Sequence, residues 1–173
     1  MESIQMEPSV NRMLWRQFGA AIDMLDDSIR LCPDPLWTAI LWKDEDDPAY
    51  GQFWFVAYHT LFWIDLYLTG SSEGFAPPDP FIRGILPEKP YTKEQILRYL
   101  DQCRSKAQAT LEALTEEQAR QGCTFDWFES SYLELQLYCM RHIQEHASQL
   151  NLLLGQHEVE GLDWITEARD KAS

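Results

Sequence analysis

Thr92-Lys-Glu-Gln95, Thr115-Glu-Glu-Gln118 and Ser131-Tyr-Leu-Glu134 each place a hydroxyl three residues before a Gln or Glu. This is the capping box. The hydroxyl accepts the fourth residue's N–H while the longer side chain reaches back to the first, so two orphan donors of a new helix are satisfied together. A chain carrying this signal three times is committed to helix starts through its second half, and the apolar spacing agrees. Behind Thr92, Ile96, Leu100, Cys103, Ala107, Leu111 and Leu114 recur at intervals close to those of a bundle seam. The Thr115 box predicts a short extra turn. Behind Ser131, the seam runs through Leu135, Cys139, His142, His146, Gln149 or Leu150, and Leu153, to a stop at Gly155.

Upstream, Leu14, Phe18, Ala21, Leu25 and Ile29 mark a first helix from about Ser9 to Leu31, ended by Pro33 and Pro35. A connection containing Trp37 and Trp42 leads to Lys43-Asp44-Glu45-Asp46-Asp47, expected as a solvated loop. The second helix is expected over Tyr50 to Leu68, stopped by Gly70, with Phe55, His59, Phe62 and Leu66 on its apolar face. Its aromatics would also suit a strand, but its length and 3.6-residue repeat favour helix. Residues 71–91 hold Pro77, Pro78, Pro80, Pro87 and Pro90 and are expected as a lid or crossover. A last amphipathic segment, about Leu162 to Lys171, is expected as a short helix packing Trp164 and Ile165 onto the bundle or a partner subunit. No segment alternates convincingly enough to predict a strand. The expectation is an all-α single domain over 1–173: a four-helix bundle with a long crossover loop and an extra short C-terminal helix.

Composition narrows the function. The chain is 45% hydrophobic and 13% aromatic, enough for a packed core, and its seven Trp require several buried indoles with acceptors. A net charge of −14 with no basic stripe argues against nucleic acid and against a basic membrane-surface helix. No apolar run approaches the roughly 20 residues of a membrane span. Cys32, Cys103, Cys123 and Cys139 form no CxxC pair, and the N-terminus has no secretion-signal order. A reduced, cytoplasmic protein is expected.

The histidines carry the chemistry. His142 and His146 are four apart, on one helix face with Cβ atoms about 5–6 Å apart. That spacing suits two nitrogens each about 2.0–2.1 Å from one ion. His59 lies on the seam of the second helix. Three imidazoles would leave coordination positions open, as a catalytic metal requires. Spacing leaves two readings standing: ligands of a shared divalent metal, or hydrogen-bonded core residues. Nor can it make the second and fourth helices neighbours. His157, past the Gly155 stop, reads as a surface residue.

Two rival schemes fit less well. His142-Ile-Gln-Glu145-His146 matches the H-x-x-E-H pattern of inverted zincin peptidases. Too little chain follows His146 for the third carboxylate ligand, the chain is small for a peptidase, and His59 is left unused. Glu145 points about 100° round from His146 and reads as a solvated carboxylate. Cys139 shares a face with His142, but a small buried apolar role suits it better than a nucleophile.

The order of these elements resembles the DinB-like superfamily over nearly the whole chain. The resemblance rests on His59 on the second helix and on Tyr91-Thr-Lys-Glu-Gln-Ile-Leu-Arg-Tyr-Leu-Asp opening the third. It rests also on Leu111-Glu-Ala-Leu114-Thr-Glu-Glu-Gln and on the H-x-x-x-H-x-x-Q of His142, His146 and Gln149. It implies that His59, His142 and His146 bind a divalent cation, typically zinc or nickel, in a bundle that tends to form homodimers. Ala147-Ser148 departs from the Arg-Gly or similar pair of many members, so no subfamily is assigned. Family members include thiol-cofactor transferases, isomerases and metal-dependent hydrolases. The resemblance therefore implies a metal-dependent enzyme acting on a small molecule, with a low-molecular-weight thiol as the leading partner. Trp54, Phe55, Tyr58, Phe62 and Trp63 are candidates to line its pocket. The alternative is a non-catalytic bundle, stapled by its metal, that acts as a dimeric interaction protein.

Overall fold

The computed structural model describes residues 8–170. Four long helices carry the architecture: α1 (Pro8–Leu31), α2 (Phe53–Thr69), α3 (Lys93–Glu112) and α5 (Tyr132–Gln156), with the short α4 (Glu116–Arg120) before the last. α1 packs on α3 and α5, and α2 packs on the same two, so α1 and α2 take opposite corners of a bundle. The neighbour relation that spacing left open is therefore fixed: α2 and α5 lie side by side.

All three capping boxes form. Gln95 N donates to Thr92 Oγ1 at 3.3 Å while Thr92 N donates to Gln95 Oε1 at 2.8 Å. Thr115 with Gln118, and Ser131 with Glu134, repeat the reciprocal pair at the starts of α4 and α5. α2 begins differently. Pro48–Gly51 form a 3-10 turn capped by the Asp47 side chain, and the α-helix starts only at Phe53. Gly51 is obligatory there, because a Cβ would lie 2.0 Å from the Trp42 carbonyl oxygen. At its other end α2 closes on Gly70 with φ of 75°, the left-handed region where glycine carries no steric penalty.

Two segments differ from expectation. Gly122–Phe125 (β1) and Phe128–Ser131 (β2) pair antiparallel into a small hairpin where no strand was expected. Four residues per strand give too short an alternation to read. The hairpin is secured by tertiary contacts instead, with the Phe125 ring edge-on to Tyr67 at 5.6 Å. The segment expected as a C-terminal helix is not helical in its described part, which ends at Asp170. Its backbone groups bond to the bundle: Ala168 N donates to Arg16 O at 2.8 Å, and Arg169 N to Asp23 Oδ2 at 2.7 Å. Ile165 packs as expected, but Trp164 is 70% exposed. Lys171 lies outside the described residues.

Residues 70–92 cross from α2 to α3 without regular structure. The crossover is anchored by the buried Phe81, stacked on Tyr99 at 4.7 Å and on Tyr58 at 5.3 Å. Among the described residues no helix is long and apolar enough to cross a membrane.

Candidate metal centre

The sequence places three imidazoles on two seams, and the bundle brings all three together. His142 Nε2 lies 3.2 Å from His59 Nε2 and 3.0 Å from His146 Nε2. The expected seams hold in part: Leu135, Cys139, Leu150 and Leu153 on α5 and Leu66 on α2 are buried. On α5 the deepest stripe also takes in Gln136, Ile143, Ala147 and Leu154, in place of His142 and His146. On α2 it includes Phe53, Ala57, Leu61, Ile64 and Leu68, while Phe55, His59 and Phe62 are only partly buried. The histidines thus occupy the border between core and surface, not the core itself. The physical reason is that α2 is apolar nearly all round, so its sequence offers several stripes and does not mark the deepest.

Two of the rings have neighbours that fix or bias their tautomers. His146 Nδ1 is 2.7 Å from Gln149 Oε1, so Nδ1 carries the proton and Nε2 presents a lone pair to the cluster. The Trp63 indole N–H donates to His59 Nδ1 at 3.3 Å, which favours the opposite tautomer on that ring. His142 Nδ1 is buried with no hydrogen-bond partner among the described residues.

Burial disfavours the imidazolium form throughout. It lowers His142 to about 3, with His146 and His59 adding to the effect. It lowers His59 to about 4, helped by His146. His146 is lowered by burial too, against the opposing influence of Gln149 and Glu145. All three rings are therefore neutral near pH 7, the form that ligates a cation.

The donor set fits a divalent metal. Nitrogens about 2.0–2.1 Å from a common ion stand about 2.9–3.4 Å apart for right-angled to tetrahedral geometry, and the two measured separations fall in that range. Neutral imidazoles whose Nε2 atoms face one another at 3 Å cannot all be satisfied by their own protons. A cation satisfies three lone pairs at once. Among the described residues no carboxylate or thiol joins the three rings as a further ligand.

The surroundings are aromatic. A cavity of about 330 Å³ opens beside His59 and His146, lined also by Trp42, Asp44, Tyr50, Phe55 and Val56. Of the aromatics expected at a pocket, Phe55 lines this one and Trp63 touches His59. Phe62 packs edge-on to Trp63. Trp54 and Tyr58 are buried instead, meeting Tyr91 at 5.8 and 5.1 Å. On the far side Trp127, at the hairpin tip, meets Trp63 edge-on at 5.4 Å.

Sequence reasoning missed Asp44, placed in a solvated acidic run although it lines the cavity, and it missed Trp127 at the hairpin tip. It saw Gln149 as a seam and family-pattern residue without its role. The usable signal was there, since i and i+3 share a helix face. Glu145 and His157 are exposed, as expected. Cys139 is fully buried and burial pushes its thiol pKa up, the reverse of an activated nucleophile.

The sequence pattern that defines the DinB superfamily matches residues 16–150, which include all three histidines. No curated protein matches the chain, and neither does any solved structure.

Proposed function

The chain belongs to the DinB superfamily, and on that footing we propose that it is a divalent-metal-dependent enzyme acting on small molecules, of thiol-dependent transferase or hydrolase type. The observation that carries this reading is the convergence of His59, His142 and His146 on one point beside an aromatic cavity, with no fourth described side chain closing the set. A structural ion is usually enclosed by four protein ligands, whereas a catalytic one keeps a position for water or substrate. Zinc or nickel is the ion proposed. When bound, it would supply Lewis acidity that draws down the pKa of a thiol or a water.

The chain's own residues prepare that site. Gln149 holds the His146 ring in the tautomer that directs Nε2 inward. Burial keeps the three rings unprotonated. Phe55, Phe62 and Trp63 exclude bulk water from one side of the cluster, which strengthens any electrostatic interaction inside. The thiol partner comes from the family, as does the homodimer we propose as its assembly. All four cysteines are free and buried, in keeping with a reducing, cytoplasmic setting.

Elemental analysis of untreated protein, followed by turnover assays, tests the reading. Zinc- and nickel-loaded samples would be screened with low-molecular-weight thiols paired with electrophiles, and separately with hydrolysable esters and amides. About one ion per chain is expected, with turnover that disappears on chelation. Full metal content with no turnover in either screen favours the non-catalytic stapled bundle, and absence of metal sinks both.

A further inference from the structure

The cavity beside the histidines is one-sided in its chemistry. Among the described residues that line it, Trp42, Tyr50 and Phe55 are aromatic and Asp44 is the one charged group. No described lysine or arginine lines it. Its parts are fixed before any ligand arrives. Asp44 Oδ1 accepts from Asp46 N at 3.0 Å and Asp47 N at 3.4 Å, and Asp47 in turn accepts from Ala49 N at 2.8 Å. This chain of side-chain caps sets the carboxylate and leads directly into the turn that carries Tyr50. Leu41 N donates to Gly51 O at 2.8 Å and Phe53 N to Ala39 O at 3.0 Å, so the loop is tied to the start of α2. The Tyr50 ring meets Phe55 edge-on at 4.8 Å, and Phe55 lies 6.2 Å from the His59 ring. The wall thus carries the carboxylate at Asp44, the aromatic rings, and the imidazoles of His59 and His146.

We propose that this cavity receives the positively charged end of the substrate: an ammonium or quaternary ammonium group packed among Trp42, Tyr50 and Phe55 and paired with Asp44, its reactive end directed at the three imidazoles. The inference rests on the catalytic reading of the histidine cluster and adds a substrate class to it, small organic cations. Aromatic faces attract cations through their quadrupole, most strongly where water is displaced. The carboxylate supplies the counter-charge, and a chain of net charge −14 concentrates cations at its surface. Away from the ion that the histidines would hold, a negatively charged group would meet Asp44 and no described lysine or arginine. At about 330 Å³ the space sits at the small end of ligand sites, so the charged end is compact.

Isothermal titration of the zinc-loaded full chain with choline and with dimethylbutanol, the same skeleton with carbon in place of the charged nitrogen, tests this. Both probes carry the same hydroxyl, so any difference reads the charge. Choline should bind about tenfold or more tightly than its neutral counterpart, a difference of about 1.4 kcal/mol. Asp44→Asn keeps an oxygen for the Asp46 and Asp47 amides and should remove most of that preference. Trp42→Leu, at a side chain with no part in those caps, should weaken choline binding several-fold. Circular dichroism checks that both variants are folded. Equal affinities for the two probes, or a preference that survives in both variants, overturns the proposal. Metal content measured on the same samples separates the two readings. Full loading without a preference for choline sinks the pocket assignment and leaves the metal centre standing, while the preference in protein that takes up no metal does the reverse.

Discussion

Two of the polar clusters in or beside the core are finished to different degrees. The first joins α1 to α3. Arg104 Nε donates to Asp23 Oδ1 at 2.7 Å and Arg104 Nη2 to Asp23 Oδ2 at 3.2 Å, with side chains 3% and 5% exposed. The C-terminal tail completes it, since Arg169 N donates to Asp23 Oδ2 and Arg169 O accepts from Arg104 Nη2 at 2.6 Å. The Trp15 ring lies 5.2 Å from the guanidinium. The second cluster joins α2 to α5, and there nitrogen faces nitrogen while His142 Nδ1 has no partner among the described residues. A buried polar group without partners is costly, so natural cores finish their networks. Asp23–Arg104 is finished and needs nothing from outside. The histidines are not finished by the described residues, and their cluster borders a cavity.

Removing one member of each cluster should break the comparison cleanly. His142→Ala should lower metal content from about one ion per chain to background in elemental analysis, and leave a folded bundle because the core is apolar. Retention of the full metal complement would void the ligand assignment. Arg104→Ala should do the opposite. It strands a buried carboxylate and should cost about 3–5 kcal/mol, a drop in Tm of about 6–20 °C for a chain of this size, with metal content per folded chain unchanged. A Tm within a few degrees of wild type would mean that the pair is better solvated than its burial indicates.

The uneven finish of these clusters also governs what the sequence can disclose. Capping boxes at Thr92, Thr115 and Ser131 are local, each partner three residues from the other, and all three appear as read. The His142–His146 pair is local in the same sense. Whether His59 could meet it depended on α2 lying beside α5, a property of the whole bundle, which the family resemblance supplied and the spacing did not. The tail was misread for a related reason. Its amphipathic pattern suits a helix, but Asp23, Arg16 and Arg104 take up its backbone groups from far away in sequence. Asp44 looked like solvated charge because its neighbours are acidic. Only the side-chain caps by Asp44 and Asp47 show how the loop is set.

Smaller effects should come from the groups behind the ligands. Gln149→Leu removes the acceptor that fixes the His146 tautomer and should weaken zinc binding about 10–100-fold in competition with a chromogenic chelator. An unchanged affinity would mean that the ring is oriented by packing alone. Acid should act on the same rings in the metal-free protein. Folded values of about 4 for His59 and about 3 for His142 lie below the 6.5 of an exposed ring, so the unfolded chain takes up protons first as pH falls. The contribution to stability is full above about 6.5 and is lost between there and the folded values. Urea midpoints of metal-free protein should therefore fall between pH 7 and pH 5, and fall less in a His142→Leu variant. An identical fall in both would assign the effect to other groups.

The smallest effect should have the opposite sign, and it bears on why the histidine cluster is unfinished. Trp63 Nε1 is a donor only, so its contact with His59 Nδ1 requires a lone pair there and puts the ring's proton on Nε2. Ligation through Nε2 requires the reverse. The two states compete for one tautomer, and loading a metal must give up the Trp63 hydrogen bond. A single such bond is worth about 0.5–1.5 kcal/mol net, so Trp63→Phe, which keeps an aromatic ring and removes the donor, should tighten zinc binding by about two- to tenfold. The same competition predicts that the wild-type indole fluorescence changes on loading, by an increment missing from the Trp63→Phe variant. Weaker binding in that variant would show that the indole supports the loaded state, and that the His59 tautomer offers no resistance to the metal.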